Sequence, residues 1–129
     1  MDKNFAFPKK EHLCGDTSIN RLYTEGKAFI VYPVRIVYKS RPGIENIPVK
    51  VLFSVPKRKF KRAVKRNRIK RLMRESYRHN KEILQSLCIE KNISIDLAFN
   101  FIGDAEPDFK TIESKMISAM NKIAEKLNF

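Results

Sequence analysis

At 129 residues, with 43 % hydrophobic side chains and nine phenylalanines, the chain is the size of one domain with a packed core, which excludes wholesale disorder. Lys and Arg number 27 against 14 Asp and Glu, a formal net charge of +13, so a polyanion is the natural partner. No apolar run reaches the ~18 residues of a membrane span, and the opening MDKNFAFPKKEHL lacks a secretory signal's apolar stretch, so a cytoplasmic protein is expected.

Residues 1–15 read as an irregular lead-in, with Phe5, Phe7 and Pro8 tacking it to the body. Cys14 and Cys88 are lone thiols without CxxC spacing. His12 stands two positions from Cys14, but two donors do not make a zinc site, so structural thiols in a reducing compartment are expected. Asp16 or Thr17 can cap a short helix that runs to about Glu25 and stops at Gly26, with Ile19, Leu22 and Tyr23 as its apolar face. From Pro33 to Lys39, Val34, Ile36 and Tyr38 alternate with Arg35, Val37 and Lys39, a strand with one side partly polar. Turn residues Arg41-Pro42-Gly43 and Pro48 lead to a second strand, Val49 to Val55, and the two are expected to pair as antiparallel neighbours.

The segment Lys57 to Arg78 follows. It holds twelve Lys or Arg and one acid, Glu75, so it carries +11; fifteen basic and thirteen acidic residues remain elsewhere, a net of only +2. Lys57, Arg58, Lys59, Lys61 and Arg62 read as a loop before a helix that begins near Val64. Ile69, Leu72, Met73, Ser76 and Tyr77 fall on one face of a 3.6-residue period, while Asn67, Lys70, Arg71, Arg74 and Arg78 stand opposite. Such a run can be a solvated face with Glu75 pairing to Arg71 or Arg78. Like charges nevertheless recur at i, i+4 (Arg66 to Lys70, Lys70 to Arg74, Arg74 to Arg78), and each such pair destabilises an isolated helix by a few tenths of a kcal/mol. A partner that relieves the repulsion is therefore expected, nucleic acid ahead of a membrane surface. A membrane helix would show a wider bulky apolar face and need no seat in a core.

The helical pattern continues through Ile83, Leu84 and Leu87 towards Cys88. Ile93 to Ile102 is a strand with Ile95, Leu97, Phe99 and Phe101 on one buried face; Gly103 and Asp104 end it. Pro107 opens a last helix whose stripe, Phe109, Ile112, Met116, Met120, Ile123 and Leu127, is core packing. The order helix, strand, strand, basic helix, strand, helix predicts a single α+β domain over 1–129, a small, mostly antiparallel sheet packed with helices, in which a βαβ unit carries the basic helix. Nothing offers protein-based catalysis. His12 and His79 are far apart and the acids are scattered, whereas a metal-dependent nuclease needs clustered carboxylates.

The run PKRKFKRAVKRNRIKRLMRESYR resembles the Arg-Asn-Arg segment of the bacterial ribonuclease P protein component. Arg66-Asn67-Arg68-Ile69-Lys70-Arg71-Leu72 and Arg74-Glu75 match its core, and Phe53-Ser54-Val55-Pro56-Lys57-Arg58 matches the strand end before it. The resemblance covers nearly the whole chain. It implies that an RNA subunit with Mg2+ removes the 5′ leader of precursor tRNA while the protein holds the leader and supports metal binding. It implies roles for Arg66, Asn67, Arg68, Lys70, Arg71 and Arg74 against the catalytic RNA and substrate, Lys70 and Arg74 on leader phosphates. Lys57 and Arg58 would grip the RNA backbone, and Arg62 is a further RNA-binding candidate. Asn67 would help hold a metal whose other ligands are RNA phosphates, the alternative being a cap or a solvent hydrogen bond. Ile19 and Tyr23 fall where the family shows two aromatics lining a leader cleft. Ile19 departs from that pattern and Tyr23 keeps a ring able to stack, the alternative being that both pack under the sheet. Tyr38 is a third cleft candidate. The family also implies a left-handed βαβ crossover, against the general right-handed rule. A basic RNA-binding assembly protein, for instance a ribosomal one, is the alternative function; an autonomous nuclease would have to cleave without RNA.

Overall fold

The computed structural model describes residues 9–127; the expected tacking role of Phe5, Phe7 and Pro8 lies outside them. After a 3-10 turn at Lys9–Glu11, the order is α1 (Asp16–Glu25), β1 (Lys27–Val31), β2 (Val34–Pro42), β3 (Val49–Ser54), α2 (Ala63–Asn80), α3 (Glu82–Lys91), β4 (Ile93–Phe101) and α4 (Phe109–Leu127). These make a four-stranded sheet in the order β1-β2-β4-β3. β1–β2 and β2–β4 are antiparallel, and β3–β4 is parallel.

The fold class is as expected, a mixed α+β domain with a mostly antiparallel sheet, but the strand pairing differs. β2 and β3 are not neighbours. The chain leaves β3 through α2 and α3 and returns as β4 between them, so both edges that the sequence would join are taken by β4. Insertion at the centre buries β4 on both faces: Ala98 is as closed as Leu97. Asp96 is buried there too, held by Arg41 Nη1 at 2.6 Å. The strand β1 is an element beyond those expected. It pairs with β2 through the tight Tyr32–Pro33 turn, directly after Gly26, whose missing side chain lets the end of α1 sit on β2: a Cβ would lie 2.9 Å from the Tyr38 carbonyl oxygen.

The sheet divides the molecule into two layers of unequal weight. On one face, Phe29, Ile36, Tyr38, Val51, Leu97 and Phe99 meet Ile69, Met73 and Tyr77 of α2 and Ile112, Met116 and Met120 of α4 in the main core. On the other, Val37, Ala98 and part-buried Leu52 receive Leu22 and Ile19 of α1 with Leu13 of the lead-in. The basic helix stops at Asn80 rather than running on to Cys88. Lys81, at the break, buries its ammonium against Glu11 at 3.1 Å. α3 ends on Asn92, which takes the left-handed conformation at φ 54°. Cys14 is exposed and Cys88 buried, both free thiols. Burial pushes the Cys88 thiol up to about 11.

Candidate nucleic-acid interface

α2 is built as its period requires: Ile69, Met73, Ser76 and Tyr77 are buried, and Leu72 packs against the same core. That seat turns Asn67 and Arg71 fully outward, with Lys70 and Arg74 beside them. Arg74 Nε is buried without a hydrogen-bond partner. The helix begins against electrostatic preference. Arg62 at the N-cap supplies no side-chain cap, the first turn holds no acid, and Lys65 and Arg66 stand where the helix dipole is positive. An anion at this end would satisfy the exposed amides and the cations together.

The loop before α2 is less loose than its composition suggests. Phe60 is buried, with its ring 5.9 Å from that of Phe101. Arg66 reaches back, its Nη1 donating to the carbonyl oxygens of Phe60 and Lys61 at 2.8 Å each. Lys59 Nζ bonds the Ile102 carbonyl at 2.8 Å and Asp104 at 3.0 Å. These contacts hold Lys57, Arg58, Lys61 and Arg62 outward on a fastened turn.

The predicted RNA-binding residues therefore divide. Lys57, Arg58, Arg62, Lys70 and Arg71, with Lys61 and Lys65, make no hydrogen bond or ion pair with other described residues. Arg66 engages its own loop through Nη1. Arg68 is paired with Glu106 of the β4–α4 loop at 3.0 Å, a surface bridge worth little. Glu75 pairs with Arg78 at 2.8 Å rather than with Arg71, and that bond holds its carboxyl below the ordinary value.

The predicted leader cleft divides as well. Ile19 is half-buried against the smaller core. Tyr23 is 41 % exposed, and its hydroxyl donates to Asn100 Oδ1 at 2.8 Å. Burial raises its pKa, partly offset by that hydrogen bond and by the charge of Arg35. Tyr38 is a correction. Its register places it with Leu97 on the helix-packed face, 5 % exposed and edge-on to Phe29 at 5.9 Å. The strand's alternation puts Arg35, Val37 and Lys39, not Tyr38, on the side of α1. Arg35 and Asn100 are cross-strand partners there. The sequence places Arg35 on the partly polar side of its strand and carries no signal that pairs it with Asn100.

Among the described residues no group of three His, Cys, Asp or Glu is placed to hold a metal ion. Asn67 offers a single exposed amide, so a divalent ion beside it needs most of its ligands from elsewhere.

Comparison with known proteins identifies the family and the fold. The family model described as Ribonuclease P matches residues 7–124. A Ribonuclease P protein component from Porphyromonas gingivalis is 43 % identical over 120 residues, covering 93 % of this chain and 88 % of the relative. Another from Dictyoglomus thermophilum is 38 % identical over 107 residues, 78 % and 85 % of the two chains. Among solved structures, the RNase P protein of Thermotoga maritima superposes with a TM-score of 0.68 at 20 % identity, covering 86 % of this chain and 96 % of its own. That of Staphylococcus aureus gives 0.63 at 18 %, covering 89 % and 95 %; these two likenesses speak for the fold. A basic helix seated on a small mixed sheet, matched along nearly its whole length by such relatives, places the chain in the family of ribonuclease P protein components, subunits of an endoribonuclease whose catalytic RNA is in the other subunit.

Proposed function

We propose that the outer face of α2 and the turn before it hold the ribonuclease P RNA, and that the α1 side of the sheet holds the 5′ leader of precursor tRNA. The observation that carries this reading is the set of seven cations, Lys57, Arg58, Lys61, Arg62, Lys65, Lys70 and Arg71, on one continuous stretch and unpaired among the described residues. Each phosphate they neutralise releases counterions, so affinity would fall with salt at ~0.7–0.9 per contact on a log–log plot. Lys70 and Arg74 are assigned to leader-side phosphates, Lys57, Arg58 and Arg62 to the RNA backbone. Arg66 serves by shaping the loop, and Arg68 joins the interface once released from Glu106. Mg2+, when bound, supplies charge neutralisation at the scissile phosphate. This chain's part is to lower repulsion between the two RNAs and to orient the leader, with Asn67 adding at most one neutral oxygen near the metal. The complex would work in the cytoplasm.

Reconstitution tests the reading. The protein is mixed with its RNA subunit and precursor tRNA at low Mg2+, and correct 5′ cleavage is scored. Stimulation of cleavage is expected; RNA binding without stimulation would instead describe an assembly protein. Tyr23→Ala should weaken substrates that carry a leader by about tenfold, the scale of one lost base–aromatic stack, while mature tRNA is unaffected. Equal losses for both would remove the leader assignment.

A further inference from the structure

The end of the sheet beneath Tyr23 holds a group of side chains that neither the main core nor the basic helix uses. Cross-strand register places Ile30, Arg35, Asn100 and Ser54 in one row over the four strands, all on the α1 side. Tyr23 sits over this row, tied to Asn100 Oδ1 at 2.8 Å across 77 residues of sequence. We propose that Asn100 is a positioning residue that holds the Tyr23 ring as a stacking surface for one unpaired nucleotide, with Arg35 as that nucleotide's cationic contact. The proposal rests on the leader reading above and names its anchor point.

Fold stability does not account for Asn100. It lies in the central strand, where asparagine is disfavoured, and its Nδ2 is buried without a hydrogen-bond partner, a cost to the folded state. The hydrogen bond its side chain does make is the one to Tyr23. That bond restrains a ring that is otherwise 41 % exposed, so less freedom is lost when a base stacks on it. A valine or isoleucine would suit the strand and leave the ring untethered.

Arg35 complements the ring. It stands directly opposite Asn100 on the same face, it has no carboxylate partner among the described residues, and its charge is felt at the Tyr23 hydroxyl. Ser54, at the far end of the row, is three residues before Lys57, so a strand leaving Tyr23 along the row arrives at the basic turn. A phenol face with one guanidinium beside it recognises an unpaired nucleotide of any sequence: every base has a π-face, and the cation meets the phosphate.

The test uses the holoenzyme reconstituted from the full chain and its RNA subunit, with precursor tRNA carrying 2-aminopurine at successive leader positions. Affinity for leader-bearing and mature tRNA is measured beside the fluorescence. One leader position should be quenched in the native enzyme. Asn100→Ala and Tyr23→Phe should each lower leader-dependent affinity by about threefold to tenfold, the scale of one hydrogen bond, and relieve the quench. The double variant should be no worse than either single one, and mature tRNA should bind as before. Arg35→Gln should lower the salt slope by about one phosphate contact. Native quench and affinity in Asn100→Ala, or additive losses in the double variant, would overturn the positioning role. Should Asn100→Ala not fold, Tyr23→Phe, which leaves the sheet intact, decides alone: unchanged leader affinity overturns the proposal. An unchanged salt slope in Arg35→Gln removes Arg35 from it. Unchanged leader affinity in Tyr23→Ala would instead overturn the leader reading itself, which separates the two failures.

Discussion

The outer face of α2 and the α1 end of the sheet treat their polar groups in opposite ways. Along α2 and the turn before it, cations outnumber acids twelve to one, and most are unpaired among the described residues. At the sheet end, the Tyr23 hydroxyl and the Asn100 carbonyl satisfy each other at 2.8 Å. On the proposed function, the first region is suited to affinity, since each contact would be one more phosphate and misplacing any one would cost little. The second is suited to selection, since a single ring in a set orientation distinguishes a strand that can stack from one that cannot. Abundant charge needs little geometry, whereas sparse contacts need a good deal.

The largest effect that would sharpen this contrast is at the anchor of the basic turn. Phe60→Ala should destabilise the protein by about 3 kcal/mol in urea unfolding and weaken RNA-subunit binding while the salt slope stays near native, because every charge remains. A flatter slope would mean that the turn's cations, not its anchoring, were lost. Next, the triple change of Lys70, Arg71 and Arg74 to Ala should cost about a hundredfold in RNA-subunit affinity at ~150 mM salt and reduce the slope by about two to three. An unaltered slope would break the comparison by removing α2 from the phosphate interface. Arg66→Lys preserves charge but loses the planar donor to the Phe60 and Lys61 carbonyls, and should cost about 1 kcal/mol of stability. Full stability with weakened RNA binding would return Arg66 to the interface.

Smaller still, Glu106→Gln frees Arg68 and should change stability by less than ~1 kcal/mol while tightening RNA binding up to about threefold. Weaker binding would show that the pair orders Arg68 rather than withholding it. The smallest effect is pH-dependent. Arg78 holds the folded Glu75 carboxyl below its ordinary value. The stability it adds is therefore complete above the unfolded value and is lost as pH falls through the folded one. Glu75→Gln should flatten the acid limb of the thermal midpoint slightly, and an identical limb in both proteins would leave the pair without a stabilising role.

Much of the interface was legible because it obeys local rules. The period that seats Ile69, Met73 and Tyr77 sets which cations face out, and a run of like charges is visible without coordinates. Tyr38 was misplaced since a strand's alternation says which residues share a face but not which face meets which helix. Arg66 and Arg68 looked equivalent to Lys70, yet the carbonyls and the carboxylate they reach belong to Phe60, Lys61 and Glu106, and one of these lies 38 residues away. The break at Lys81 carries no Pro or Gly to announce it, and the side chain there pairs with Glu11, 70 residues upstream.

From the chain alone came the concentration of charge, the amphipathic basic helix and the α+β class, because these depend on composition and on neighbours within a few positions. The tertiary structure alone decided that β4 enters between β2 and β3, which arginines find partners within the chain, and that Tyr23 meets Asn100. Each of these joins residues tens of positions apart, where the free energy lies in contacts between elements and no period along the backbone records it.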